Sequence, residues 1–167
     1  IQYMYQGDTP YWSGKNPTLF PMVGSTFNKE YTIEGKTYKM KNHGLIRYMD
    51  LKELPSDAGE VVMGLDSDEE TKKQYPFDFH YEIHYALQDA TLTIRYRITN
   101  TGNKEMPFTF GLHPGFLCPL CVDEKFEDYT IRFANPETLT QVIPDKEGKQ
   151  PYREKEVSLQ QIHLDYA

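Results

Sequence analysis

Between residues 77 and 99 the chain alternates apolar and polar side chains with a period of two, and this pattern restricts the fold more than any other feature. Phe77, Phe79, Tyr81, Ile83, Tyr85 and Leu87 share one face; Asp78, His80, Glu82, His84, Ala86 and Gln88 share the other. After Gln88-Asp89-Ala90 the alternation resumes, with Leu92, Ile94, Tyr96 and Ile98 inward and Thr91, Thr93, Arg95, Arg97 and Thr99 outward. Successive side chains of a β-strand point to opposite faces, so these are two half-buried strands. Asn100-Thr101-Gly102-Asn103 then turns the chain into a third stretch, with Met106, Phe108, Phe110 and Leu112 on one face, and the three read as an antiparallel meander. Upstream, Tyr31 and Ile33, a turn at Glu34-Gly35-Lys36, then Tyr38 and Met40 spell a hairpin. Downstream, residues 130–145 repeat the alternation, with turn chemistry at Asn135-Pro136. Residues 65–75 hold a helical turn or a charged loop, and no period of 3.6 is sustained anywhere. Many short strands, 11 glycines, 11 prolines and 14% aromatic residues point to an all-β chain, an antiparallel β-sandwich formed as one domain over residues 1–167.

A formal net charge of −7 without basic stripes argues against nucleic acid and against anionic membranes as partners. No apolar run is long enough to span a bilayer and no signal-peptide pattern opens the sequence, so a cytoplasmic location is expected. Residues 1–5 already read like the inside of an element, which suggests part of a longer polypeptide. The two cysteines, Cys118 and Cys121, form a single CxxC. A structural zinc site needs a second ligand pair and a thioredoxin-like site needs a βαβ context, so two reduced thiols in a loop is the favoured reading.

Three constellations could carry chemistry. His113 ends the stretch that begins at Met106, on the face opposite its apolar residues, with Gly111 beside it leaving room for a ligand, Pro114 stiffening the exit and Phe116 as a wall. Residues 42–49, Asn-His-Gly-Leu-Ile-Arg-Tyr-Met, place His43 at a sharp bend and Arg47 four residues on. Taken singly, each histidine is more simply a surface residue; two at strand ends strengthen the case for a site. The third is His80, Glu82 and His84 on one strand face, which could chelate a transition metal. Next-nearest residues on that face lie about 7 Å apart, so a wet outer face is the better reading. No dinucleotide, P-loop, serine-hydrolase or zincin motif occurs.

The stretches MYQGDTPYW, PTLFPMVG, Tyr31-x-x-x-Gly-Lys-x-Tyr38, NHGLIRYM, LTIRYRITNTGNKEMPF and GLHPGF stand in an order and spacing similar to those of the aldose 1-epimerase (galactose mutarotase) family, and resemble its LacX-like branch most. The resemblance covers nearly the whole chain. It implies a galactose mutarotase-like supersandwich whose concave face binds a free hexose, with no cofactor. It also implies roles: His113, in the family's HP-x-F motif, as the general acid that protonates the ring oxygen, and His43, in its HG motif, as a substrate-binding residue. A glutamate of the family removes the anomeric hydroxyl proton; no acidic residue here matches it, and it is expected beyond Ala167, as the family's first strands are expected before Ile1.

One departure concerns the sugar contacts. The LacX-like branch usually has arginine after the glycine of FP-x-V-G, and this chain has Ser25. The sugar contacts of that arginine are then expected to be lost, supplied by Arg47, or replaced by water. The alternatives to an aldose 1-epimerase are a hexose-6-phosphate 1-epimerase, which needs a basic cluster for the phosphate, and a non-catalytic carbohydrate-binding module, which Ser25 would suit.

Overall fold

The structure, a computed structural model, describes residues 2–8, 10–143 and 153–166. Its contacts divide the chain into two compact units, Thr9–Pro114 and the combination of Ile1–Asp8 with Gly115–Ala167. The protein is all-β. Among the described residues the one α-helix, α1 (Glu69–Lys72), is a single turn closed by a capping box in which the Asp68 carboxylate accepts from the Thr71 backbone N–H and Thr71 Oγ1 accepts from that of Asp68. Among the described residues no helix is long and apolar enough to cross a membrane.

The unit Thr9–Pro114 is built on a four-stranded antiparallel sheet, β4 (Lys52–Leu54), β5 (Glu60–Asp66), β6 (Phe79–Gln88) and β7 (Thr91–Asn100), in that order. The alternation of residues 77–99 is realised here except at the hairpin end, where Leu87 and Leu92, expected inward, pair with each other and are largely exposed. Phe77, Phe79, Tyr81 and Ile83 are buried, and Ile94, Tyr96 and Ile98 pack against them from β7. The hairpin of β2 (Glu30–Ile33) and β3 (Lys36–Lys39) is also as expected, in a tighter form. Ile33 pairs with Lys36, leaving Glu34 and Gly35 as a two-residue turn with φ of 48° and 78°. Positive φ at both central positions matches the right-handed twist of the flanking strands.

The third strand of the expected meander does not form. Only β8 (Gly111–Leu112) is paired, and its partner is β1 (Thr18–Leu19), not β7. Pro107 has no N–H to offer a ladder, and the Thr109 N–H donates to Pro21 O at 2.9 Å, so this stretch runs along residues 17–23 instead. Met106 is buried, while Phe108, Phe110 and Leu112 are 45%, 37% and 49% exposed. The apolar alternation there is no measure of burial.

Phe20 organises the core of this unit. Fully buried, it contacts Tyr75, Phe79, Tyr81 and Phe108 at ring-centroid distances of 5.9, 5.2, 5.7 and 5.4 Å. A fully buried aromatic such as Phe20 contributes up to about 3 kcal/mol. Phe20 opens the FPMVG stretch, so the segment leading to Gly24 and Ser25 is anchored at its start.

The second unit contains β9 (Thr130–Ile143) and β10 (Arg153–His163), paired antiparallel. Asn135-Pro136 is not the turn that its composition suggested. The register moves from Leu159–Glu137 to Gln161–Arg132, so residues 133–136 lie opposite Gln160 alone, and the proline sits in a bulge where no ladder N–H is required. Residues 144 and 145, the end of that expected strand, lie outside the described residues. In the same unit Met4 bridges Phe116, and the Tyr5 N–H donates to Gly115 O at 3.0 Å.

Candidate active site

Two short motifs far apart in sequence interlock to hold His43. The residue has φ 66° and is followed by Gly44 at φ 81°. The glycine is required by space as well as by backbone angle, because a Cβ on it would stand 2.2 Å from Phe20 O. That close approach lets the Leu45 N–H donate to Phe20 O at 2.7 Å, while the His43 N–H donates to Gly24 O at 2.8 Å. The Gly24 N–H in turn donates to His43 Nδ1 at 3.0 Å. His43 is thus clamped through backbone and ring by the end of FPMVG. Because Nδ1 accepts, the neutral ring carries its proton on Nε2, the nitrogen left for a ligand.

His113 follows β8, with its backbone N–H donating to Pro17 O at 3.1 Å and its side chain exposed. The β1–β8 pair brings its ring to 5.9 Å from that of His43, centroid to centroid, inclined at 59°. The ring of Trp12 lies 4.9 Å from that of His113, inclined at 39°. Gly111 does not open space for a ligand as its position suggested. A Cβ there would lie 3.0 Å from Val23 Cγ2, so the missing side chain serves packing against Val23. Phe116 belongs to the other compact unit.

Arg47 sits in a 3-10 turn, Ile46–Tyr48, with its guanidinium 5.1 Å from the Tyr48 ring centroid. Desolvation by its surroundings holds the His43 pKa below the usual imidazole value, and the charge of Arg47 and then His113 push it the same way. His43 is therefore neutral at neutral pH, a donor through Nε2–H. Ser25 is exposed, its hydroxyl 3.4 Å from Thr26 O. An apolar cavity of about 410 Å³ is lined by Val23, Ser25, Tyr31, Tyr75 and Phe108 among others, but by neither histidine. The chemistry-bearing groups lie on an open face rather than inside it.

Comparison with known proteins gives the family. A family model described as aldose 1-epimerase matches residues 2–161. The chain belongs to the aldose 1-epimerase family. Two LacX proteins of Lactococcus lactis subsp. lactis, plasmid and chromosomal, are 29% identical to it over 182 residues that cover 100% of this chain and 59% of each relative. A galactose mutarotase related enzyme from Lactobacillus acidophilus superposes with TM-score 0.84 at 31% identity, covering 98% of this chain and 55% of that one. A galactose mutarotase-like protein from Lactobacillus casei superposes at 0.80 and 28% identity, covering 95% and 57%. The chain therefore spans a little over half the length of the relatives it matches.

In this epimerase-family chain the structure brings the rings of the HG and HP-x-F histidines together, and the charge of Arg47 acts on His43. Trp12 was assigned no role from sequence. The available signal was its singularity, one tryptophan in a chain with 13 tyrosines and nine phenylalanines.

The third constellation is neither a chelating face nor simply a wet one. His80 Nδ1 is 2.7 Å from Asp66 and its Nε2 is 3.1 Å from Glu82. His84 Nε2 is 3.0 Å from the other Glu82 oxygen and its Nδ1 is 3.2 Å from Glu60. Arg97 adds a contact to Glu82 at 3.4 Å. His84 is buried, and the groups form a ladder tying β5, β6 and β7 together. Both nitrogens of each ring are engaged.

The ladder has a pH signature. The hydrogen bond His80 donates to Asp66, and after it the one to Glu82, raises the His80 pKa against an opposing desolvation, so its stabilising contribution is complete below the ordinary 6.5 and is lost as pH rises through the raised value. Glu82 is shifted down, chiefly by its hydrogen bond with His84, so its contribution is present above the ordinary 4.5 and is lost as pH falls through the lowered value. Urea denaturation is expected to show stability falling as pH rises above 6.5 through the raised His80 pKa, and His80→Gln should flatten that fall. An unchanged pH slope in His80→Gln would contradict the pairing.

Proposed function

We propose that the full-length protein is an aldose 1-epimerase acting on a free hexose, with His113 as general acid and His43 and Arg47 binding sugar hydroxyls. The observation that carries this reading is the ring contact between His43 and His113, residues seventy positions apart that both end on an open face. A hemiacetal opens when one oxygen gains a proton as another loses one. His113 delivers a proton to the ring oxygen, a base takes the proton of the anomeric hydroxyl, the bond from C1 to the ring oxygen breaks and C1 becomes an aldehyde. Rotation about C1–C2 and the reverse transfers give the other anomer, and both protons are restored. An imidazole has a reference pKa of about 6.5, which suits donation and recovery near neutrality. The base is the family's glutamate, for which this sequence offers no match.

Ser25 in place of the branch's usual arginine is the one feature that favours a non-catalytic sugar-binding module. Polarimetry of freshly dissolved α-glucose and α-galactose, with and without the full-length protein, separates the two. Accelerated decay of rotation is expected. Anomer-selective binding without acceleration would support the binding module, and preference for the 6-phosphate over the free sugar would support a hexose-6-phosphate 1-epimerase.

A further inference from the structure

The geometry points to Trp12 as a positioning residue for His113, held in place by Gly14, and this rests on the reading of His113 as the general acid. The His113 side chain is exposed at a strand end, where a histidine ordinarily samples several rotamers. Its ring contacts the indole of Trp12 at 4.9 Å and the ring of His43 at 5.9 Å. An aromatic pair at such distances, tilted as here, gains up to about 1.5 kcal/mol beyond its area burial, enough to favour one rotamer over its neighbours. The face of an indole also tolerates either charge state of imidazole, attracting the cation through its quadrupole. A proton donor that must stay aimed through both halves of a catalytic cycle needs such a neighbour.

Trp12 is itself fixed by an absence. A Cβ on Gly14 would lie 2.5 Å from both Cε2 and Cζ2 of the indole and 2.9 Å from Nε1. The backbone at Gly14 therefore rests against the ring, and only glycine permits it. Unlike Gly44, Gly14 does not have a left-handed φ, so alanine is free of backbone strain there and its sole effect is to displace the indole. Gly14→Ala thus moves the support without touching either the acid or its support chemically.

The test uses Trp12→Ala, Trp12→Phe and Gly14→Ala in the full-length protein, read by mutarotation kinetics and by the NMR shifts of the His113 ring protons. Trp12→Ala is expected to lower kcat roughly tenfold to a hundredfold with little change in KM, since a misaimed donor leaves sugar binding intact. Trp12→Phe should recover most of the loss, and Gly14→Ala should reproduce part of it. The His113 ring protons should shift in Trp12→Ala and in Gly14→Ala as the indole ring current is removed or displaced. Unchanged His113 shifts in both variants would overturn the packing claim whether or not the protein is an epimerase. Shifts that move while kcat stays constant would overturn the positioning role, as would a raised KM with constant kcat, which would make Trp12 a sugar platform. Absence of mutarotation by the wild type would overturn the functional reading separately, and the positioning role with it.

Discussion

Gly44→Ala is expected to destabilise the unit Thr9–Pro114 by about 3 to 5 kcal/mol and to remove sugar binding with it. Two costs combine. Alanine at φ 81° pays about 1 kcal/mol or slightly more for left-handed backbone, as any residue with a Cβ does. The larger part comes from its Cβ meeting Phe20 O at 2.2 Å, Phe20 C at 2.5 Å and Pro21 N at 2.8 Å, all backbone atoms of two buried residues. Relief requires moving the loop, which breaks the bonds from Leu45 N–H to Phe20 O, from His43 N–H to Gly24 O and from Gly24 N–H to His43 Nδ1. Gly59→Ala supplies the control, because Gly59 has φ 86° and nothing within 4 Å of an added Cβ. It should cost only about 1 kcal/mol. Equal losses for the two variants in urea denaturation would show that close packing on Phe20 contributes nothing.

The second large effect is on rate. His113→Gln keeps a polar side chain of similar size at an exposed position, so stability should hardly change. Removing a general acid typically costs 10²–10⁴-fold, and kcat for mutarotation is expected to fall by about that factor. His43→Gln should behave differently. His43 is neutral, clamped through Nδ1 to Gly24 and offers only Nε2–H, so its loss should raise KM more than it lowers kcat. Polarimetric rates over a range of sugar concentration separate the two parameters. Identical effects of the two substitutions would contradict the division of roles.

Local signals in the sequence were enough for the β2–β3 hairpin, where Glu34-Gly35 dictates a two-residue turn, and for the existence of β6 and β7, whose alternation follows burial from Phe79 to Ile83 and from Ile94 to Ile98 but not at Leu87 and Leu92. They were insufficient wherever the partner decided the outcome. Residues 106–112 alternate as well as β6 does, yet Pro107 and the bond from Thr109 to Pro21 attach them to another segment. In β5, the consecutive Val61, Val62 and Met63 obscured a strand that pairs with β6 along its full length. His84 read as a wet residue because period two places it outward; its burial comes with bonds to Glu60 of a neighbouring strand and to Glu82. The site divides in the same way. His43 beside a glycine and His113 at a strand end could be named from motifs, whereas Trp12 became meaningful only once β1 and β8 paired and brought His113 to it. Gly111 was misread because a glycine beside a candidate site can serve either a ligand or a neighbour, and here the neighbour is Val23.

The central claim is that His113 delivers the proton that opens the sugar ring. Its most direct test is a two-dimensional exchange spectrum of hexose labelled with carbon-13 at C1, recorded near pH 7 with the full-length protein and again with His113→Gln, both at saturating sugar. The account predicts cross-peaks linking the α and β C1 signals with the wild type, and their reduction to the level of buffer alone with His113→Gln. Cross-peaks of undiminished intensity with His113→Gln, or none with a folded wild-type protein, would contradict it.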